Sequence, residues 1–434
     1  MSTAITDDVE NTNNTESANN AKNIENSGNS IVFDSVIGSI DSRAGGFIKF
    51  RERLHANPEL SFEEAETKQF ILSGIDNIKN NEYIKIFEFD DTFGFWVDVI
   101  FKDDDYSHGA AAVRADMDAL PVVEETGLPF HSKIPGKMHA CGHDVHMTAL
   151  YGALCAVTDN YEIMKKNAKI SALRFIFQAS EEKSPGGAVA LINHGVMQNV
   201  KMAFGLHVMP DLPSGSAALM EGAVMAAVDE FEAELSGRGG HGAKPDKADD
   251  LILLSAEIIS GAQKIISRGI SPFTPAVISF CMMHSGSAHN ILPARANLAG
   301  TIRSLDPAVR RLLKDKLENI FKSKCAEFGT QYSLKFIDGY PVTINAKSAV
   351  EAFAPACKKI LGAGNVLSEA DRSMGSEDFS YYAQKAPSAF IFFGCAKKNA
   401  ALNYPLHHPK FNVENEDIIN AVKVFGALCA GFCE

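Results

Sequence analysis

His139, Cys141, His143 and His146 fall within eight positions in the run MHACGHDVHM. Imidazole nitrogens around a thiolate are donors suited to zinc-like or manganese-like divalent ions. A lone histidine at the start of a helix is usually a buried polar residue, so the cluster gains meaning only if distant segments add carboxylates and imidazoles. FQASEEKSPGGA supplies adjacent Glu181 and Glu182 after an apolar run and before a Gly-Gly turn. Neighbouring side chains at a strand end point in different directions, so one carboxylate can ligate a metal while the other takes a proton from metal-held water. GLHVMP adds His207 at the close of another apolar run, and LHHPKF offers His407 and His408. One thiolate with several imidazoles and carboxylates is enough for two metal ions with a bridging water.

These donors need a scaffold that brings separate segments to one place. FGFWVDVIF (93–101), GAAAVRA (109–115), ALRFIFQ (172–178), MAFGLHV (202–208) and AFIFFG (389–394) are continuously apolar runs separated mostly by helical patterns. That predicts an α/β domain with a mixed, mostly parallel sheet covered by helices on both faces. Asp116 and Asp118 follow one run, Glu181 and Glu182 another, and His207 a third, so the donors gather beyond the carboxyl ends of the strands. Before them, SFEEAETKQFILSGI reads as an amphipathic helix with Ser61 as N-cap and Glu64 completing a capping box.

Between about Ala227 and Pro341 the pattern changes. DEFEAELSG and QYSLKFI alternate, PAVISFCMM and ARANLAGTIRS read as strands, and two helices fall between them. One carries Leu251, Leu254, Ile258, Ala262 and Ile265 on a stripe. The other starts at an Asp306 cap with Pro307 and carries Val309, Leu312, Leu313, Leu317, Ile320 and Phe321. The order β-α-β-β-α-β is the ferredoxin-like split unit. The expected division is a disordered tail (1–31), a discontinuous metal-binding catalytic domain (32–226 and 342–434) and an inserted unit (227–341).

At 434 residues the chain exceeds the usual size of one hydrophobic core, and 46% hydrophobic with 22% charged residues describes a soluble globular protein. A formal net charge of -13 argues against nucleic acid or an anionic membrane as main partner. Residues 1–31 are polar and lack the basic start and apolar stretch of a secretory signal, and no run is apolar enough to span a bilayer. Eight scattered cysteines without a CxxC pair point to reduced thiols and the cytoplasm. The missing PCxxC-type pair excludes a zinc deaminase.

DMDALP, HACGHDVH, the strand-end Glu-Glu, GLHV, GRGGHGAKP, HNILP, GSEDF and LHHP occur in that order across everything but the tail. In these motifs the chain resembles the M20 metallopeptidases, and within them the amidohydrolase branch of hippurate, N-acyl-amino-acid and auxin-conjugate hydrolases. The resemblance implies Cys141, His143, Glu182, His207 and His407 as ligands of two divalent ions, manganese or zinc, with cobalt and nickel as further candidates. It implies Glu181 as general base and Asp118 as an orienting acid near the metals. His241 would reach a partner subunit's site and stabilise the oxyanion, and Asn290 and Arg303 would lie near the polar end of the substrate. The inserted unit would then be both lid and dimerisation surface, hinged about 222–229 and 338–343.

The expected activity is cleavage of the amide of a small N-acyl or N-aroyl amino acid, hippurate-like, by a metal-bridging water with Glu181 as base. A dipeptidase or carboxypeptidase using the same site is the first alternative. A non-catalytic metal-dependent binding protein is an alternative of another class, and the presence of Glu181 argues against it. The chain departs from its relatives around GHGAKPDKADD and in HNILPARANLAG, where an acidic residue more usually follows the proline, so both departures fall beside the substrate.

Overall fold

The computed structural model describes residues 31–78, 82–102 and 106–434. Residues 1–30, read above as tail, lie outside these, and Ile31 opens the helix Ile31–Ala56 instead of ending the tail. The chain then forms β1 (Ile84–Phe87), β2 (Phe95–Ile100), β3 (Ala110–Asp116), β4 (Ala172–Gln178), β5 (Val200–Pro213), β6 (Ala217–Ala218) and β7 (Gly222–Met225).

From Ala227 to Asp338 it builds β8 (Ala227–Ser236), β9 (Gly240–His241), β10 (Ala276–Ser285), β11 (Ile291–Leu292), β12 (Arg295–Ser304) and β13 (Gln331–Asp338). It returns through β14 (Thr343–Asn345), β15 (Val366–Leu367) and β16 (Ser388–Ala396).

The large sheet has the order β1-β2-β4-β3-β5-β16-β6-β15, with β4, β3, β5 and β16 parallel to one another. Its central strands are buried along nearly their whole length, which is why their sequences run apolar without alternation. Side chains still divide by face. Ala111, Val113, Phe175, Phe177, Ile391 and Phe393 join the core beneath the helices Ile31–Ala56, His143–Asp159, Lys347–Leu361 and Asn415–Gly431. Ala112, Ile176, Phe390 and Phe392 join a second core on the other face, with Leu191 and Phe379.

β10-β12-β8-β13 form a separate antiparallel sheet, the ferredoxin-like order, with its own core. Helix Leu251–Arg268 buries the five residues of the expected stripe, and Asp250 caps it by accepting from the amides of Ile252 and Leu253. Helix Pro307–Phe328 starts at Asp306, whose Oδ1 accepts from Ala308 and Val309. Leu312 on that helix is exposed and Cys325 is buried instead, so the inward stripe is narrower than the sequence suggests. β7 and β14, one on each crossing between the two sheets, pair with each other.

The capping box at Ser61 and Glu64 is not formed. The helix runs Ala65–Asp76 with Glu64 as N-cap residue and no side-chain capping bond. Ser61 Oγ donates to Asp118 instead, and Glu64 accepts from Ser180. His207 also differs from expectation, because β5 runs on to Pro213. The last pairing of β5 with β3 is Gly205 with Arg114, whereas His207 is still paired with Phe392 of β16. His207 thus emerges past the end of one neighbour while its backbone stays anchored by the other.

Candidate metal centre

β3 and β4 end on one rim, β5 passes it at His207, and the helix His143–Asp159 starts there. Gly142 precedes that helix with φ +87°, and a Cβ on it would lie 2.3 Å from Val208 Cγ2. Only glycine combines that backbone with that close approach, and the turn sets Cys141 and His143 against β5. Cys141 Sγ lies 3.3 Å from His207 Nε2. Glu182 Oε1 lies 3.8 Å from His143 Nε2 and 3.4 Å from His407 Nε2. Potential ligand atoms of Cys141, His143 and His207 are mutually within 4.8 Å, as are those of Cys141, Glu182 and His407 and those of His143, Glu181 and Glu182. His407 sits at φ +65° on a loop whose amide is held by the Ala140 carbonyl at 2.8 Å.

Hydrogen bonding separates the four residues of the opening cluster. His146 Nδ1 lies 2.7 Å from Asp116 Oδ1, and its Nε2 accepts the Val208 N–H at 3.0 Å. An accepting Nε2 carries no proton, so Nδ1 carries it toward Asp116 and both nitrogens are engaged. His207 donates from Nδ1 to the Val208 carbonyl, 2.8 Å, which leaves its Nε2 lone pair facing Cys141. His143, equally buried, is the reverse of His146: among the described residues neither of its ring nitrogens, nor Glu182 Oε1, has a hydrogen-bond partner. His139 is also buried with both nitrogens unpartnered among the described residues, and burial pulls it down to about 4.

The electrostatics fit divalent cations. Burial pushes the Cys141 thiol far up, and the Glu182 and Glu181 carboxylates push it further. Burial pulls His143 down, but the carboxylates of Asp116 and Asp118 outweigh it and lift it to about 10. Burial lowers His207 to about 3, with His146 adding to the effect. A cation among these donors would satisfy the orphaned nitrogens and favour the thiolate.

Glu181 is buried, and burial together with the Glu377 and Glu182 carboxylates raises its proton affinity well above the ordinary. Asp118 accepts the amides of Glu181 at 3.0 Å and Glu182 at 2.9 Å, and its Oδ1 faces His143 Nδ1 at 3.4 Å. The structure therefore brings Cys141, His143, Glu181, Glu182, His207, His407 and Asp118 together. It does not bring His241, Asn290 or Arg303 to them. His241 and Asn290 are exposed beside each other at the β9–β11 ribbon, and the Arg303 guanidinium donates to the Met374 carbonyl at 2.9 Å.

Sequence reasoning left several neighbours without a role. Arg114 is buried and donates to Asp116, Asp378 and Gln178, with Glu377 at 3.0 Å. Glu377 and Asp378 come from GSEDF, and ligand-type atoms of both lie within 4.8 Å of Glu181. Burial lifts Glu377 to about 8 against the pull of Arg114. The Tyr340 hydroxyl donates to the Glu181 carbonyl at 2.6 Å. The motif signalled the two acids, but nothing local signalled Arg114 or Tyr340.

Residues 112–430 match peptidase family M20/M25/M40. The chain belongs to that family. It is 36% identical over 386 residues to thermostable carboxypeptidase 2 of Saccharolobus solfataricus, covering 88% of this chain and 94% of the relative. It is 34% identical over 382 residues to N-acetylcysteine deacetylase of Bacillus subtilis, covering 88% and 95%. Among solved structures it is similar to the Bacillus subtilis YXEP protein, described as a dinuclear metal-binding peptidase of the M20 family: TM-score 0.76, 31% identity, 90% of this chain and 98% of that one. As an M20 protein the chain is a metal-dependent hydrolase acting on amides. Among the described residues no helix is long and apolar enough to cross a membrane.

Proposed function

We propose that this hydrolase removes the acyl or aroyl group from small N-acyl amino acids, using two divalent ions held by Cys141, His143, Glu182, His207 and His407. The observation that carries the reading is the pairing of a buried Glu181 with Glu182 beside those donors, two carboxylates free for different tasks. When bound, the ions would supply Lewis acidity toward water and the amide carbonyl. Glu181 would take the proton of the attacking water and hand it to the leaving nitrogen. Asp118, through the two amides it accepts, would hold the backbone from which Glu181 and Glu182 project. Manganese and zinc suit the mixed nitrogen, oxygen and sulfur set, with cobalt and nickel as further candidates.

Residues 227–341 would act as lid and dimerisation unit on the discontinuous domain 32–226 and 342–434. The exposed position of His241 and Asn290 supports a role on a partner subunit's site, where His241 would stabilise the oxyanion. Arg303 and Asn290 would meet the substrate carboxylate after closure. The eight unpaired cysteines support a reducing compartment, the cytoplasm.

A carboxypeptidase is the second reading, favoured by the 36% identical relative of that name. Apo protein reconstituted with each metal and offered benzoyl-glycine, acetyl-amino acids and dipeptides separates the two. Preferred cleavage of the acylated amino acids supports the first reading and preferred cleavage of dipeptides the second. No cleavage with any metal overturns both.

A further inference from the structure

Ser180 connects β4 to the Glu181–Glu182 pair at φ +59°, a left-handed conformation disfavoured for a residue with a side chain. Something must hold it. Glu64 Oε1 accepts both the Ser180 amide at 2.7 Å and the Ser180 hydroxyl at 3.0 Å, and Ser180 Oγ accepts the Phe62 amide at 2.8 Å. The next two amides, of Glu181 and Glu182, end on Asp118, whose Oδ2 also accepts the Ser61 hydroxyl at 2.6 Å. Three consecutive N–H groups of the turn therefore point at two buried carboxylates, both tied to the segment Ser61–Glu64. Glu64 is fully buried and makes no capping bond to the helix it precedes.

We propose that Glu64 is a positioning residue for the Glu181–Glu182 pair, acting through the hydrogen bonds it accepts from Ser180. This rests on the reading of Glu181 as base and Glu182 as ligand. Without Glu64 the turn loses the acceptor that keeps Ser180 left-handed, and relaxation there rotates both glutamates relative to Cys141, His143 and His407. Glu64 touches neither substrate nor metal; its influence travels through the backbone.

The test compares Glu64→Ala, Glu64→Gln and Ser180→Ala in the full chain. Glu64→Ala should lower kcat by roughly 10–100-fold with KM little changed, the range for residues that orient metal ligands. It should also weaken Zn2+ or Mn2+ binding to apo protein in calorimetry and alter the visible spectrum of Co2+-loaded protein. Glu64→Gln keeps an acceptor oxygen and should retain most of the affinity and rate. Ser180→Ala removes the hydroxyl bond to Glu64 and the acceptor of the Phe62 amide but keeps the Ser180 amide bond to Glu64, so it should lose less than Glu64→Ala.

Wild-type rate, affinity and spectrum in a folded Glu64→Ala protein would overturn the proposal, as would equal losses in Glu64→Gln and Glu64→Ala. If Glu64→Ala does not fold, Glu64→Asp, whose shorter side chain draws the carboxylate back from the Ser180 amide, takes its place. Wild-type kcat, metal affinity and Co2+ spectrum in Glu64→Asp would overturn the proposal. A parallel Glu181→Gln variant that stays fully active would overturn the assignment of the base, a separate failure visible without the Glu64 series.

Discussion

The rim at the ends of β3 and β4, beside His207 of β5, and the β9–β11 ribbon are both rich in residues with chemical capacity, yet their states differ. At the rim carboxylates and imidazoles from distant segments crowd one another, and the ring nitrogens of His143 and Glu182 Oε1 are buried without a hydrogen-bond partner among the described residues, with His407 exposed at the edge. At the ribbon His241 and Asn290 stand exposed, and the His241 ring accepts the Ala243 amide two residues on. A buried orphan donor costs free energy until a ligand arrives, whereas an exposed one costs nothing and gains only when another surface covers it. The rim thus carries its deficit within one chain, and the ribbon can act only through contact with something else.

The largest expected effect falls at the rim. Glu181→Gln should lower kcat on an N-acyl amino acid by about 10²–10⁴-fold, with circular dichroism and metal content unchanged. A variant that lost metal as well would show that Glu181 is a ligand and blur the division between the two glutamates.

At the ribbon, His241→Ala should cost about 10²–10³-fold in kcat, the range for one oxyanion donor. Mixing it with Glu181→Ala should restore part of the activity if each site draws on two chains. Absence of recovery in a verified heterodimer would sink the shared-site reading.

His146→Ala tests a finer contrast between two histidines on one helix. With both its nitrogens engaged, His146 should act through Val208 and His207, lowering metal affinity by about 10–100-fold in calorimetry. His143→Ala should abolish one site outright.

The smallest effect concerns the join between the regions. Buried Asp229 is paired with Arg310 and with Lys314 at 3.0 Å, and it accepts the Gly339 amide. Burial raises its carboxyl, but the bonds from Arg310 and Lys314 outweigh that and hold it below its ordinary value. Because the folded pKa is depressed, the stabilisation is complete above the ordinary carboxylate range and is lost as pH falls through the folded value. Asp229→Asn should therefore lower the urea midpoint by an amount worth about 1–3 kcal/mol at pH 7, a difference that shrinks in acid.

Much of the fold is legible in the sequence. The apolar runs became strands because residues buried on both faces must be apolar throughout. The cap at Asp306 is a local bond between neighbours in sequence. Type and motif marked Cys141, His143, Glu181, Glu182, His207 and His407 as candidate donors, and the fold gathers them. Where local logic misled, a distant partner had outbid a near one: Ser61 and Glu64 looked like a capping box because that is the best bond available within four residues. In the fold Asp118 and Ser180 offer better ones.

By itself the sequence determined which groups could bind a cation and which segments had to be strands or helices, since periodicity and chemistry are carried residue by residue. Tertiary structure alone decided which histidines of MHACGHDVHM are free and which are spent, that Arg114 lies under Glu377 and Asp378, and that Glu64 serves the turn at Ser180. Those outcomes depend on atoms brought together from positions tens to hundreds apart, where no local pattern records the meeting.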